Sequence, residues 1–283
     1  MSVSFARSPS VHAVQPAILD GDIERSLADR FLYIKIFGER NSGTNYLEQL
    51  ILQNFMVELL RGTAGALWGL SERVVAGHNE LGGAYTRQAM HDLEILRIQH
   101  SDFGWKHGAP DLEAIQQSPI ARFTKFVIIT KHPFSWLRSL NMNPYSFQPT
   151  ESEFSRFIRS PFSVSACDNL PHLGLYDPPT MFRMKAKAYL RLLESGLCAL
   201  HLKYASLLQN FEPELKRIGV GMEANGYEFS NIEADVKGSE RGLADFVKQN
   251  AEAESGHWMS QQDRDYIVGR IGEDVFRSLG YSI

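Results

Sequence analysis

Three groups of residues in this chain have types and spacings that could do chemistry. Gly38-Glu-Arg-Asn-Ser-Gly43 sets two glycines with four residues between them. A loop of this kind turns successive backbone N–H groups toward one point, and a helix N-terminus behind it adds a favourable dipole, so it suits an anion. In an NTPase loop, Lys and Ser or Thr come next, the first gripping the phosphates and the second holding Mg²⁺. Thr44 and Asn45 stand there instead, so the loop is built for an anion but not for metal-bound ATP. The second group is Lys131-His132-Pro133, with Ser139 eight positions after Lys131. It offers a cation and a hydroxyl donor that suit phosphate oxygens. The third, Phe103-Gly-Trp-Lys-His-Gly108, lies between the other two and carries Lys106 and His107. Imidazole is the usual base near neutral pH.

The elements that must position these groups can be read from periodicity. Residues 31–37 are a short apolar run rich in aromatic and β-branched side chains and predict a buried strand. Tyr46, Leu47, Leu50, Ile51 and Phe55 recur at helical spacing, so a helix over 44–56 starts directly behind the loop. Residues 125–130 predict a second buried strand. Pro133 suits the first helical position, and Trp136, Leu137 and Leu140 form that helix's apolar face. Further helices are expected over 84–96, 111–117 and 183–195, the last with Met184, Ala188, Leu192 and Leu193 or Tyr189 inward. Residues 201–204 read as a third strand, 213–218 open a helix, and 262–279 form one last helix ending at Gly280.

Strands alternating with helices imply a parallel sheet covered on both faces, with ligands beyond the strands' carboxyl ends. The expected architecture is a three-layer α/β/α single domain with a P-loop-like parallel sheet over 29–283, behind a poorly structured tail over 1–28. The weakly periodic segment 141–180, rich in Phe, Pro, Ser and Asn, reads either as a lid or binding loop or as surface packing.

Bulk composition sets outer bounds. Of 283 residues, 43% are hydrophobic and 22% charged, which suits a globular core. A net charge of −4 argues against a general nucleic-acid binder while leaving room for a local basic pocket. The two cysteines, Cys167 and Cys198, have no metal-ligand spacing and read as free thiols in a reducing compartment. No secretory signal or long apolar run is seen, so the expected location is cytoplasmic, without a membrane anchor.

Arg40-Asn-Ser-Gly-Thr-Asn-Tyr46 resembles the 5′-phosphosulfate loop of sulfotransferases that use 3′-phosphoadenosine 5′-phosphosulfate (PAPS), commonly Pro-Lys-Ser-Gly-Thr-Thr-Trp. Ser42, Gly43 and Thr44 match directly, and Asn45 and Tyr46 nearly so. The family lysine, which assists the leaving phosphate, falls at Asn41, and Arg40 beside it can supply the charge. A second family signature is a strand ending in Arg, then Asp or Asn, then Pro, with a Ser on the next helix. Lys131-His132-Pro133 and Ser139 are similar to it, at the family's spacing, with lysine for arginine. The segment from Tyr204 to Leu208 resembles the family's Tyr-Glu-Asp-Leu strand exit, and 256–281 the terminal helix of many bacterial members. The basic Arg-Lys-Gly of many cytosolic members is missing.

His107 is similar in position to the base of the family's Lys-Thr-His, although Lys106 is adjacent to it. In an extended segment the two side chains would point apart, which a turn at Gly108 relieves. His132 is the reserve base. The resemblance implies transfer of a sulfuryl group from PAPS to a hydroxyl or amine of a small-molecule or carbohydrate acceptor. It places Asn41, Ser42, Gly43, Thr44 and Asn45 around the 5′-phosphosulfate, Lys131 and Ser139 on the 3′-phosphate, and Tyr204 near the adenine. His107 would act as base, with Lys106 or Arg40 stabilising charge on the bridging oxygen. No metal, nucleic acid or membrane is implied, and the acceptor would enter between 57–100 and 141–180. The alternatives are a non-catalytic nucleotide-binding relative, which the departures at Asn41 and Lys131 leave open, and a P-loop kinase or NTPase, against which the missing loop lysine counts.

Overall fold

The apolar runs near 31–37 and 125–130 become strands whose neighbours protect both their faces. The computed structural model describes residues 30–62, 89, 102–144, 151–171, 175–232 and 242–283. Strand β1 (Tyr33–Phe37) leads through the glycine loop into helix α1 (Thr44–Asn54) and the short strand β2 (Glu58–Leu59). After helix α2 (Leu112–Gln117) comes strand β3 (Thr124–Thr130), seven consecutive buried residues, and then helix α3 (Pro133–Met142). A short helix α4 (Phe154–Phe157) precedes an antiparallel pair, β4 (Phe162–Ser163) and β5 (Leu175–Tyr176). Helix α5 (Pro178–Leu193), strand β6 (Ala199–Lys203) and helices α6 (Tyr204–Gln209) and α7 (Phe211–Gly219) follow. Helices α8 (Leu243–Glu254), α9 (Gln261–Ile271) and α10 (Glu273–Ser278) close the chain.

The main sheet has the order β2-β1-β3-β6, and every pair in it is parallel. Alternate residues of β3 point to opposite faces, as the strand repeat requires. Phe126 and Ile128 join Phe37, Ile115, Tyr189 and Leu192 on one face. Val127 and Ile129 join Ile34, Ile36, Leu47 and Leu215 on the other. A third cluster joins α3, α5, α9 and α10 through Trp136, Phe182, Ile267 and Phe276. The sheet is thus flanked by helices on both faces. Because β1 leads to β2 on one side while β3 pairs on the other, the chain's direction of travel switches between the carboxyl ends of β1 and β3. Open parallel sheets bind ligands at such a point.

Several expectations need correction in detail. Helix α5 starts at Pro178, well before 183, because the Asp177 side chain accepts from Thr180 N–H and proline fits the first turn. Its inward face carries Met181, Lys185, Ala188, Tyr189 and Leu192, with Met184 only half-buried. The single helix expected over 262–279 is two, since Gly272 breaks it at φ 91°. Strand β6 begins at Ala199 and ends at Lys203, so Tyr204 opens the next helix. Segment 141–180 contains α4 and the β4–β5 pair. The tail over 1–28 and nearly all of 84–96 lie outside the described residues, as do 145–150 and 172–174.

Strand β1 also buries a lysine. Lys35 Nζ donates to Gly104 O at 2.5 Å and lies 5.1 Å from the Phe37 ring centre. Burial pulls its ammonium from the ordinary 10.5 down to about 7, opposed by the charges of Asp102 and Glu48. Between those pH values the unfolded chain holds a proton that the native state has lost. The cost of burying the charge is full below pH 7 and is relieved as pH rises. Urea melts of wild type and Lys35→Met should therefore diverge with pH: wild type gains stability relative to the variant from pH 7 to pH 10. A difference that stays level across that window would contradict the assignment.

Candidate active site

The glycine loop closes on itself before it meets any ligand. Ser42 directs both N–H and Oγ to Glu39 O, at 3.1 and 2.5 Å, which tightens the turn. Ser42 is fully buried, and both of its donors are engaged inside the loop. Asn41 adopts a left-handed conformation, φ 64°, which asparagine tolerates better than most residues. Gly43, at φ 89°, is the N-cap of α1, and no side chain caps that helix. The first helical bond runs from Leu47 N–H to Gly43 O. The N–H groups of Gly43, Thr44 and Asn45 have no backbone partner among the described residues. They form an open donor set at the positive end of the helix dipole, the local feature that binds anions.

The second sequence group converges on this loop. Lys131 Nζ donates to Ser139 Oγ at 2.8 Å, so strand end and helix present cation and hydroxyl together. The ammonium stands 5.1 Å from the centre of the Tyr204 ring. That ring lies directly against the Cα of Gly43, where a β-carbon would collide with it. Asn41 spans the remaining gap: its Nδ2 donates to Ser139 O at 3.4 Å and to Asn143 O at 3.3 Å, at the carboxyl end of α3. Asn41, Gly43, Lys131, Ser139 and Tyr204, drawn from four segments, thus form one continuous wall.

The third group closes the other side. Residues 105–108 form a turn through Gly108 N–H to Trp105 O at 2.9 Å, so Lys106 and His107 both reach the loop. Lys106 Nζ donates to Asn45 Oδ1 at 2.7 Å and to Glu48 Oε1 at 3.0 Å. His107 Nδ1 lies 2.7 Å from Gly38 O. A carbonyl can only accept, so Nδ1 carries the proton and Nε2 keeps the ring's lone pair. The imidazole packs edge-on to Trp105 at 5.0 Å. Burial, then the charge of Lys106, hold it well below the ordinary histidine range, while the bond to Gly38 pulls the other way. His107 is therefore neutral at neutral pH. Arg40 is buried over the Trp105 ring, 4.5 Å from its centre, and its backbone O accepts from Trp136 Nε1 at 2.8 Å.

His132 is differently placed. Its Nδ1 accepts from Phe134 N–H at 3.2 Å, capping α3, and its Nε2 contacts Ser282 O at 2.9 Å. Both ring nitrogens are occupied, so the reserve base is a helix cap. Burial, with Arg264 and Lys203 nearby and the Ser282 bond opposing, lowers it to about 4. His201 Nε2 meets Thr130 Oγ1 at 2.7 Å. His78, His91 and His100 lie outside the described residues.

Sequence reasoning missed a buried ionic cluster beneath the loop. Lys185 Nζ reaches Asp168 Oδ1 at 2.6 Å and Glu39 Oε2 at 3.3 Å, the three side chains being 2, 1 and 4% exposed. It also donates to His107 O at 2.8 Å. Burial raises the Glu39 carboxyl to about 7, aided by Asp168 and opposed by Lys185, and Glu39 Oε1 has no hydrogen-bond partner. Burial also acts on Asp168 but is outweighed by the charges of Lys185 and Arg40, which keep it ionised. The available signal was a lysine on the apolar stripe of α5, four residues after Met181 and four before Tyr189. Among the described residues no group of three or more His, Cys, Asp or Glu could hold a metal ion, and no helix is long and apolar enough to cross a membrane.

No protein-family model matches this chain, and no curated protein matches it, so fold and geometry carry the functional reading. The contact of Gly43 with Tyr204 is open to direct test. Gly43→Ala combines left-handed strain with a clash and should cost about 1–3 kcal/mol in urea melts. Tyr204→Ala in the same chain should recover part of that loss. Additive losses in the double variant would show that the two residues do not touch.

Proposed function

We propose that this protein is a PAPS-dependent sulfotransferase. The supporting observation is the meeting, at the ends of two adjacent parallel strands, of an uncapped helix N-terminus, a lysine–serine pair and a neutral histidine. Two separate anion sites with a base beside one of them suit a donor carrying a 5′-phosphosulfate and a 3′-phosphate. Backbone N–H groups of Gly43, Thr44 and Asn45 would hold the first. Lys131 and Ser139 would exchange their mutual hydrogen bond for the second. Tyr204, flanked by Gly43 and Lys131, would flank the nucleoside between them.

The reaction follows from these positions. The acceptor's oxygen or nitrogen attacks sulfur in line and forms the new bond to it. The bond between sulfur and the bridging oxygen breaks, and its electron pair leaves on the 5′-phosphate of 3′,5′-adenosine bisphosphate. The acceptor's proton passes to Nε2 of His107, whose Nδ1–H stays on Gly38 O. Lys106, already on the Asn45 amide, stabilises the charge growing on the bridging oxygen. Asn41 does not replace the family lysine as a cation. Its amide ties the loop to α3, and Lys106 and Arg40 supply positive charge nearby.

Release of 3′,5′-adenosine bisphosphate from PAPS, assayed against a panel of phenols, alcohols and amines, tests this reading. His107→Ala should lower turnover by about 10²–10⁴-fold, the usual worth of a positioned base, with donor affinity kept. Near-wild-type turnover in a folded variant removes His107 from the chemistry. Donor binding without turnover for any acceptor favours the non-catalytic relative.

A further inference from the structure

We propose that Lys185 is a positioning residue that sets the distance between the base and the phosphate loop. The inference rests on the sulfotransferase reading and adds a residue to its machinery. An ammonium has three N–H donors, and Lys185 uses them on three different segments. One goes to Glu39 Oε2 in the loop at 3.3 Å, one to His107 O at 2.8 Å, and one to Asp168 Oδ1 at 2.6 Å. Its side chain is 2% exposed. It cannot touch substrate, and its effect must pass through what it holds.

The three acceptors are themselves fixed to the site. Glu39 O receives both donors of Ser42, so the residue that Lys185 grips by its carboxylate is also the hinge of the loop. His107 is joined to the same loop through Gly38, whose N–H donates to Lys106 O at 2.9 Å and whose O meets His107 Nδ1. Asp168 braces the base segment from behind. Its O accepts from Ala109 N–H at 2.8 Å, and the neighbouring Asn169 Nδ2 donates to Ala109 O at 2.9 Å. Lys185 therefore ties loop, base and brace to the rigid helix α5. Without it the base segment keeps its contacts at Gly38, the Arg40 stack on Trp105 and the Lys106 bonds to α1, but the His107 carbonyl loses its donor. Displacement of the imidazole by about a few tenths of an ångström then becomes cheap, and reaction rates depend steeply on such displacements.

A charged residue is required for this task because two carboxylates converge on it. An apolar residue would leave Glu39 and Asp168 buried with no hydrogen-bonded cation and only the charge of Arg40 nearby. The test therefore uses two variants, Lys185→Met and the double variant Lys185→Met with Asp168→Asn, which removes both members of the tighter pair. The double variant is read where the single one does not fold. Three quantities are measured: affinity for 3′,5′-adenosine bisphosphate, steady-state turnover of PAPS, and the imidazole nitrogen shifts of His107 in ¹⁵N-histidine-labelled protein.

With Lys185 as a positioning residue, kcat falls by about 10–10²-fold while the KM for donor and the bisphosphate affinity stay within about 3-fold. The His107 spectrum moves from a single Nδ1–H tautomer toward a mixture. A purely structural lysine would lower the melting temperature and leave kcat and the His107 spectrum of the folded fraction unchanged, and that result overturns the proposal. Wild-type protein that neither binds the bisphosphate nor turns PAPS over overturns the sulfotransferase reading and takes this inference with it.

Discussion

Gly38 is where three parts of the protein touch. Its N–H donates to Lys106 O at 2.9 Å, and its carbonyl holds His107 Nδ1 at 2.7 Å. A β-carbon on it would stand 2.5 Å from Ile129 O in the next strand and 2.9 Å from Ser42 Oγ in the loop. No side chain fits there, so the end of β1 can lie flush against β3 while the segment carrying Lys106 and His107 closes over it. The tautomer of His107, the reach of Lys106 to Asn45 and the position of the loop against Lys131 all depend on that close approach. It is a constraint of backbone packing, set by the parallel pairing of β1 with β3.

Electrostatics completes what packing begins. Lys106, Lys131 and Arg40 gather around an uncapped helix end in a chain whose net charge is −4. Each is held by a partner that an anion can supplement or replace: Glu48 and the Asn45 amide for Lys106, the Ser139 hydroxyl for Lys131, and the Trp105 face for Arg40. Acidic residues outnumber basic ones over the whole sequence, 33 to 29. Beneath the loop, the Lys185–Asp168 pair keeps both its charges although fully buried, because the two lie 2.6 Å apart and the ammonium has further acceptors.

The parts of this arrangement that repeat along the chain were legible in the sequence. Strands β1 and β3 are continuous apolar runs, and α1 and α3 follow them with regular inward faces. The spacing of Lys131 and Ser139 is local enough for a strand end and the helix after it to bring them together. What was hidden is tertiary. Alternation along an extended chain would send Lys106 and His107 apart, but Phe103 and Gly104 take positive φ angles of 59° and 82° and turn the segment over. Lys185 sits on an apolar stripe where a lysine has no local reason to be. Its reason is Glu39 and Asp168, 146 and 17 residues away. Gly272 splits the last helix because a left-handed residue serves at once as the end of one helix and the start of another.

Donor recognition is the claim on which the functional account stands, and calorimetry tests it most directly. 3′,5′-Adenosine bisphosphate is titrated into the protein in EDTA, with adenosine 5′-monophosphate and Mg²⁺-ATP as comparisons and Lys131→Ala as the control. The account predicts tight, metal-free binding that needs the 3′-phosphate and is lost in the variant. Preference for Mg²⁺-ATP, or no binding of the bisphosphate at all, would contradict it and leave a parallel α/β sheet whose strand ends serve another use.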